Sequence, residues 1–147
     1  GKLIQPTFLP RTEQQAQAFS TQVIRPGTSE MMRYLFRLNV EQGSGRRAEV
    51  PGYYVGGKTG TAEKVVNGRY VSGKRFNAFL AGFPVNDPEY IVLAVLDEPQ
   101  PEKPGAGATA GINTTQMVSD IVRRSAALLG VKPDFGHESR ALLAASR

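Results

Sequence analysis

The pair Asn67-Gly68, set between Val65-Val66 and Tyr70-Val71, constrains this chain more than any other feature. A two-residue reversal between strands needs positive φ at both turn positions, which asparagine and glycine tolerate and most residues resist. The stretch before it, Gly56-Gly57-Lys58-Thr59-Gly60-Thr61-Ala62-Glu63-Lys64, is therefore predicted to be a strand that enters a hairpin. Residues 76–85, small or apolar at Ala78, Leu80, Ala81 and Phe83, predict a further strand. Tyr90-Ile91-Val92-Leu93-Ala94-Val95-Leu96 predicts another, buried, and the turn at Asn86-Asp87-Pro88 makes the last two antiparallel.

Two helices flank these strands in sequence. Residues 28–42 are predicted helical, capped by Thr28 or Ser29, with Met31, Leu35 and Leu38 on the core face and Met32 and Phe36 widening it. Gly43 stands where a left-handed cap is wanted. A second helix begins at Asn113 or Thr114 and runs to Leu129, with an apolar face of Met117, Val118, Ile121, Val122, Leu128 and Leu129. Gly130 and Pro133 stop it. Before the first helix, residues 2–9 read as a short extended piece, 13–17 as a polar loop and 20–24 as an edge strand. This opening reads as a segment that continues from a neighbour. Residues 99–111 read as a Pro- and Gly-rich mobile loop. The resulting fold class is α+β, an antiparallel sheet with helices packed on it.

Composition narrows the functions available. The chain's 147 residues suit one domain, and 40% hydrophobic with 21% charged residues excludes wholesale disorder. With no cysteine there is no disulfide, thiolate metal site or thiol nucleophile. The apolar run at residues 90–96 is far short of the roughly 18 residues of a membrane span. A net charge of +5 would suit an anionic partner, yet no aromatic-rich basic stripe of the RNA-binding kind appears, and no nucleic acid is expected. Arg46, Arg47, Arg123 and Arg124 are expected to be solvated surface, and Asp97-Glu98 a solvent-facing acidic pair that holds no metal. His137, alone in the tail, is expected to be no ligand.

The glycine–lysine–threonine segment admits more than one chemistry. Residues 52–59 match the phosphate-loop pattern G-x-x-x-x-G-K-[ST], and Asp97 after an apolar strand resembles the acidic strand end of nucleoside triphosphatases. A phosphate loop must follow a buried strand and open a helix, whose N-terminus receives the phosphates. Here Pro51 and two arginines precede it, and Gly60, two valines and Asn-Gly follow, which suits a strand. On a strand, alternation puts Lys58 and Gly60 on one face and Thr59 and Thr61 on the other. Lys58 supplies fixed positive charge, Gly60 lets a ligand backbone approach, and the hydroxyls and edge amides can bind a carboxylate. That set suits a peptide with an acidic terminus lying along the strand. An ordinary edge strand whose lysine blocks aggregation, or an inactive peptide- or partner-binding module, would carry the same residues.

Residues 56–64 resemble the Lys-Thr-Gly box of the penicillin-binding transpeptidases. The likeness extends to Val40-Glu41-Gln42-Gly43-Ser44-Gly45 upstream, to Phe79-Leu80-Ala81-Gly82-Phe83-Pro84-Val85 and residues 90–99 downstream, and to Leu128-Leu129-Gly130-Val131-Lys132-Pro133. Within the family it is most similar to the class B, division-specific septal transpeptidases, with elongation-type relatives next. The resemblance implies a β-lactamase/transpeptidase-like α/β/α sandwich, with residues 1–133 its C-terminal portion and 134–147 a weakly structured tail. It implies serine acyl transfer between peptidoglycan stem peptides, and β-lactams that acylate the same serine. It implies catalytic roles for Lys58 and Thr61, the latter through its backbone N–H in an oxyanion hole, and carboxylate binding by Lys58, Thr59, Gly60 and Thr61. No cofactor is implied. The implied partners are stem peptides, β-lactams, the remainder of the transpeptidase domain and other division proteins. The implied place is the periplasmic face of the bacterial inner membrane, with the anchor outside this chain.

The family's other two motifs are Ser-x-x-Lys and Ser-x-Asn. None of Ser20, Ser29, Ser44, Ser72, Ser119, Ser125, Ser139 and Ser146 has lysine three residues on or asparagine two residues on. The resemblance thus covers one wall of a site without its nucleophile, and this chain alone is expected to be inactive.

Overall fold

The computed structural model describes residues 1–101 and 107–136. In chain order the elements are β1 (Lys2–Ile4), α1 (Glu13–Ala18), β2 (Ser20–Gln22), α2 (Pro26–Gln42), a 3-10 turn (Arg46–Ala48), β3 (Gly56–Val66), β4 (Arg69–Phe83), β5 (Tyr90–Asp97) and α3 (Thr114–Ser125). β1 and β2 pair antiparallel as a two-stranded ribbon. The main sheet is antiparallel in the order β3-β4-β5. The α+β class expected from the sequence holds.

The Asn-Gly hairpin forms as predicted: Asn67 (φ 51°) and Gly68 (φ 76°) reverse the chain, and Val65 and Val66 pair with Tyr70 and Arg69. From Phe76 to Phe83, β4 alternates. Asn77, Phe79, Ala81 and Phe83 are buried on its inner face, while Phe76 and Leu80 stand on the outer one. Phe79, Phe83 and Ala94 of the sheet pack with Val40 of α2, Val118 and Val122 of α3, and Val55 just before β3. The core thus lies between the sheet's inner face and the two long helices.

Several expectations are corrected. Residues 13–17 are helical, not a loop, because Thr12 and Gln15 form a reciprocal capping box. α2 starts at Pro26, whose fixed φ suits a first turn, so neither Thr28 nor Ser29 caps it. Its buried residues are Arg37 and Val40. Met31, Met32 and Leu35 are exposed, so the expected core face is not the one α2 turns inward. Gly43 is not left-handed (φ −104°); glycine is required there because a Cβ would collide with the Asn39 side chain. β5 is pleated over a one-sided core, so Ala94 is buried while Ile91 and Leu93 are 75% and 61% exposed. α3 ends at Ser125 rather than 129, which leaves Leu128 and Leu129 exposed, but Gly130 does take positive φ (82°). Residues 102–106 of the expected loop, and His137 with the tail from 137, lie outside the described residues.

One buried cation ties the layers together. Arg37 of α2, only 5% exposed, donates from Nε to Glu41 Oε1 (2.8 Å) and from Nη1 and Nη2 to the two carboxylate oxygens of Glu49 (2.6 and 3.1 Å). Nη1 also donates to the Val55 carbonyl (2.9 Å), and the guanidinium stacks 4.6 Å over the Tyr54 ring. Burial alone would lower the Arg37 pKa; the hydrogen bonds and charges of Glu49 and Glu41 outweigh it and hold the pKa above its ordinary value. Burial likewise raises the Tyr54 phenol, against the opposing pull of Arg37. Breaking a buried ion pair from one side costs about 3–5 kcal/mol. Arg37→Met should fall at the lower end of that range, about 3 kcal/mol in urea unfolding, because both glutamates keep contact with water.

A second, exposed cluster joins the far ends of the sheet. Lys64 Nζ bridges Asp97 Oδ1 and Glu98 Oε1, each at 2.9 Å, and Lys74 lies 3.6 Å from the same Glu98 oxygen. The Lys64 hydrogen bonds to Asp97 and Glu98 raise its pKa, and the bond from Lys64 lowers that of Glu98. The lysine's contribution is therefore lost only as pH rises through its raised value. The glutamate's is lost as pH falls through its depressed value. Lys64→Met should lower the Tm slightly at neutral pH, with the difference narrowing as pH falls through the depressed Glu98 value.

Candidate functional site

β3 forms one rim of the sheet, with β4 on one side and no described strand on the other. The Gly57 carbonyl points to that open side, since it accepts from Asn39 Nδ2 of α2 at 2.8 Å. The two-residue period of a strand then turns the N–H and C=O of Thr59 and Thr61 outward as well. The open rim expected of residues 56–64 is present. The phosphate-loop alternative fails its own requirement, because Thr59 is followed by seven further strand residues and not by a helix.

The threonine side chains face a cleft of about 390 Å³ lined by Ser44, Arg46, Arg47, Thr59, Thr61 and Ile112, among others. Thr59 Oγ1 lies 2.8 Å from Ser44 Oγ. Thr61 Oγ1 accepts from the Ala110 N–H at 3.3 Å. Asn39 sets the glycine turn that carries Ser44: its Oδ1 accepts from the Ser44 N–H at 3.1 Å, and its carbonyl accepts from the N–H groups of Gly43 and Gly45. Next to Thr61 on the neighbouring strand, buried Asn77 of β4 donates from Nδ2 to the Ala108 carbonyl (2.8 Å) and to Asn113 Oδ1 (3.2 Å). This holds the segment that aims Ala110 at Thr61.

Lys58 stands on the opposite face of β3 from the threonines, as alternation requires, and is exposed. Its ammonium curls to the rim and donates to the Thr59 carbonyl at 2.8 Å. The four expected residues are therefore brought to one rim, the two hydroxyls inside the cleft and the ammonium at its edge. Gly60 has open space above it: an added Cβ would meet only Ala78, at 3.9 Å. The fold itself does not demand glycine there.

Two groups escaped the sequence reading. Arg46 and Arg47, expected as plain surface, line the cleft, and Arg47 Nη1 reaches the Ile112 carbonyl (3.3 Å). Ser44 belongs to the glycine turn of the family likeness, but the sequence assigns it no role at the site. Its place between two glycines, after a helix bearing Asn39, was the available signal. Asp97 and Glu98 share Lys64, and Arg123 and Arg124 occupy the exposed last turn of α3, as solvated charges would.

Comparison with known proteins decides the family. Residues 1–123 match the penicillin-binding protein transpeptidase domain. The chain belongs to that family. It is 37% identical over 130 residues to stage V sporulation protein D of Bacillus subtilis, covering 88% of this chain. It is 39% identical over 120 residues to a probable peptidoglycan D,D-transpeptidase FtsI of Caulobacter vibrioides, covering 75% of this chain. In each case the match spans 20% of the relative's length. Among solved structures, the transpeptidase domain of Burkholderia pseudomallei penicillin-binding protein 3 superposes with a TM-score of 0.75 at 31% identity, over 91% of this chain and 39% of that one. The Mycobacterium penicillin-binding protein 3 complexed with ampicillin gives a TM-score of 0.60 at 26% identity, over 80% of this chain and 29% of that one. The chain thus carries part of an FtsI-like transpeptidase domain, with the β-lactamase-like fold of those neighbours. Among its described residues no helix is long and apolar enough to cross a membrane.

Because a Cβ at position 60 meets nothing closer than an ordinary contact, Gly60→Ala should leave the unfolding free energy from urea titration within about 0.5 kcal/mol of the parent. A larger loss would mean that glycine serves the strand and not a ligand.

Proposed function

We propose that this chain is the Lys-Thr-Gly wall of a peptidoglycan DD-transpeptidase, which cross-links stem peptides by serine acyl transfer and is acylated by β-lactams. The observation that carries the reading is the open rim of β3. It sets two threonine hydroxyls, outward backbone amides and a lysine ammonium beside a cleft edged by arginine. A peptide ending in a carboxylate fits that rim as an added strand. Thr59 and Thr61 hydroxyls hold the carboxylate, Lys58 supplies charge along the rim, and Gly60 keeps the approach clear. The Thr61 N–H is one of two donors for the oxyanion that forms when the serine attacks. Such a donor is worth about 3 kcal/mol of barrier in acyl transfer.

The serine nucleophile and its lysine belong to the remainder of the transpeptidase domain, the main partner of this chain. Support comes from the exposed apolar surface of α2 at Met31 and Leu35 and from the outer sheet face at Leu80, Ile91 and Leu93. These are surfaces that a further layer of the same domain would cover. The parent works at the periplasmic face of the inner membrane in septal wall synthesis, alongside other division proteins.

The test is acylation by a fluorescent penicillin. The complete parent protein should be labelled and this chain alone should not. Lys58→Ala in the parent should slow acylation at least tenfold while leaving its Tm within a few degrees. An adduct on the isolated chain, or parental rates for the lysine variant, would overturn the assignment. A complete protein that binds acid-ended peptides but is never acylated would be the inactive binding module instead.

A further inference from the structure

We infer that Ser44 is a positioning residue that, by donating to the Thr59 hydroxyl, turns the Thr59 proton toward the cleft, and so favours an anionic over a neutral ligand end. The inference rests on the carboxylate-binding role proposed above for Thr59 and Thr61.

A hydroxyl has one proton and two lone pairs, so each contact it makes decides what it offers elsewhere. Ser44 Oγ lies 2.8 Å from Thr59 Oγ1 and 3.2 Å from Asn39 Oδ1, and its single proton serves one of them. If it goes to Asn39, then Thr59 donates to Ser44 and its proton is used inside the protein. Thr59 then shows the cleft only lone pairs, which repel a carboxylate. If it goes to Thr59, the Thr59 proton is free to point at the ligand. Thr61 is already in that condition, because the Ala110 N–H fills one of its lone pairs. In the second arrangement the cleft presents two hydroxyl donors side by side. A carboxylate, which only accepts, selects it; a carboxamide, which both donates and accepts, is served by either.

Asn39 makes the change of arrangement cheap. Its orientation is set by Nδ2 donating to the Gly57 carbonyl at 2.8 Å, so Oδ1 faces Ser44 in both arrangements. When the Ser44 proton turns to Thr59, Oδ1 keeps the Ser44 N–H at 3.1 Å and no acceptor is left unpaired. The glycines on either side let this turn close onto Asn39: a Cβ at Gly43 would strike its side chain, and one at Gly45 would come within 3.1 Å of it.

The experiment compares two peptides on the full-length protein, identical except that one ends in a free carboxylate and the other in a carboxamide. Equilibrium affinity for each is measured in the parent, Ser44→Ala, Ser44→Thr and Ser44→Cys. The parent should prefer the acid. Ser44→Ala should cut that preference about five- to tenfold, chiefly by weakening the acid, the scale of one ordinary hydrogen bond. Ser44→Thr should restore it. Ser44→Cys, of similar size but a weak donor, should resemble Ser44→Ala and stands in for it if the alanine variant does not fold. Equal weakening of both peptides by Ser44→Ala, or an undiminished preference, would overturn the role of Ser44 while leaving the carboxylate site standing. A parent that binds both peptides equally would overturn the carboxylate site and the inference with it.

Discussion

A positive charge without water must be paired on every side, and Arg37 meets that condition by drawing on its own helix and on two segments further along the chain. Glu41 comes from its own helix, Glu49 from the turn after it, and the Val55 carbonyl from the residue before β3. The start of the ligand-facing strand is thereby referenced to α2. Two residues along the helix, Asn39 repeats the operation on Gly57 and adds the glycine turn. The rim residues that follow, from Lys58 to Thr61, inherit their position from these two side chains. The role proposed for the rim needs hydroxyls placed to a fraction of an ångström, and a polar clamp supplies directional constraint that an apolar seam would not.

That arrangement also explains which parts of the structure were legible in the sequence. The hairpin was legible because its turn chemistry is local: Asn67 and Gly68 carry positive φ whatever surrounds them. The β3 rim followed from the same signal, since a strand leading into that turn had alternation to sort Lys58 and Gly60 from Thr59 and Thr61. The family resemblance then supplied roles that alternation cannot. What stayed hidden was set by tertiary context. Arg37 is absent from the apolar face read on this helix, and only the arrival of Glu49 and Val55 makes it interior. Periodicity put Met31 and Leu35 in the core, whereas the helix turns a different seam inward and leaves both exposed. Gly43 was placed correctly for the wrong reason, since a left-handed cap and a close side-chain approach both ask for glycine.

The apolar residues left in water form a pattern and not a scatter. Leu80, Ile91 and Leu93 lie on one face of the main sheet, opposite the face that holds Phe79, Phe83 and Ala94. A sheet finished on one side only would be expected to alternate apolar with polar, and β5 does not: its outward positions are as branched and apolar as its inward ones. The composition of β5 is that of a strand covered twice. This also accounts for the sequence reading of residues 90–96 as buried, which describes the strand's chemistry correctly even though the described residues cover only one face.

The cleft's electrostatics divide between charge that attracts and hydroxyls that discriminate. Arg46, Arg47 and Lys58 are exposed, so water screens them, and they favour any anion alike. The threonines act only at contact, and their selectivity depends on where one proton points. Of their two internal partners, the Ala110 N–H can only donate, which commits Thr61 permanently. Ser44 can do either, which makes Thr59 the adjustable member of the pair. On the proposed reading, charge at the rim brings an acidic peptide end to the strand, and the hydroxyl chain from Asn39 through Ser44 to Thr59 decides whether that end is held.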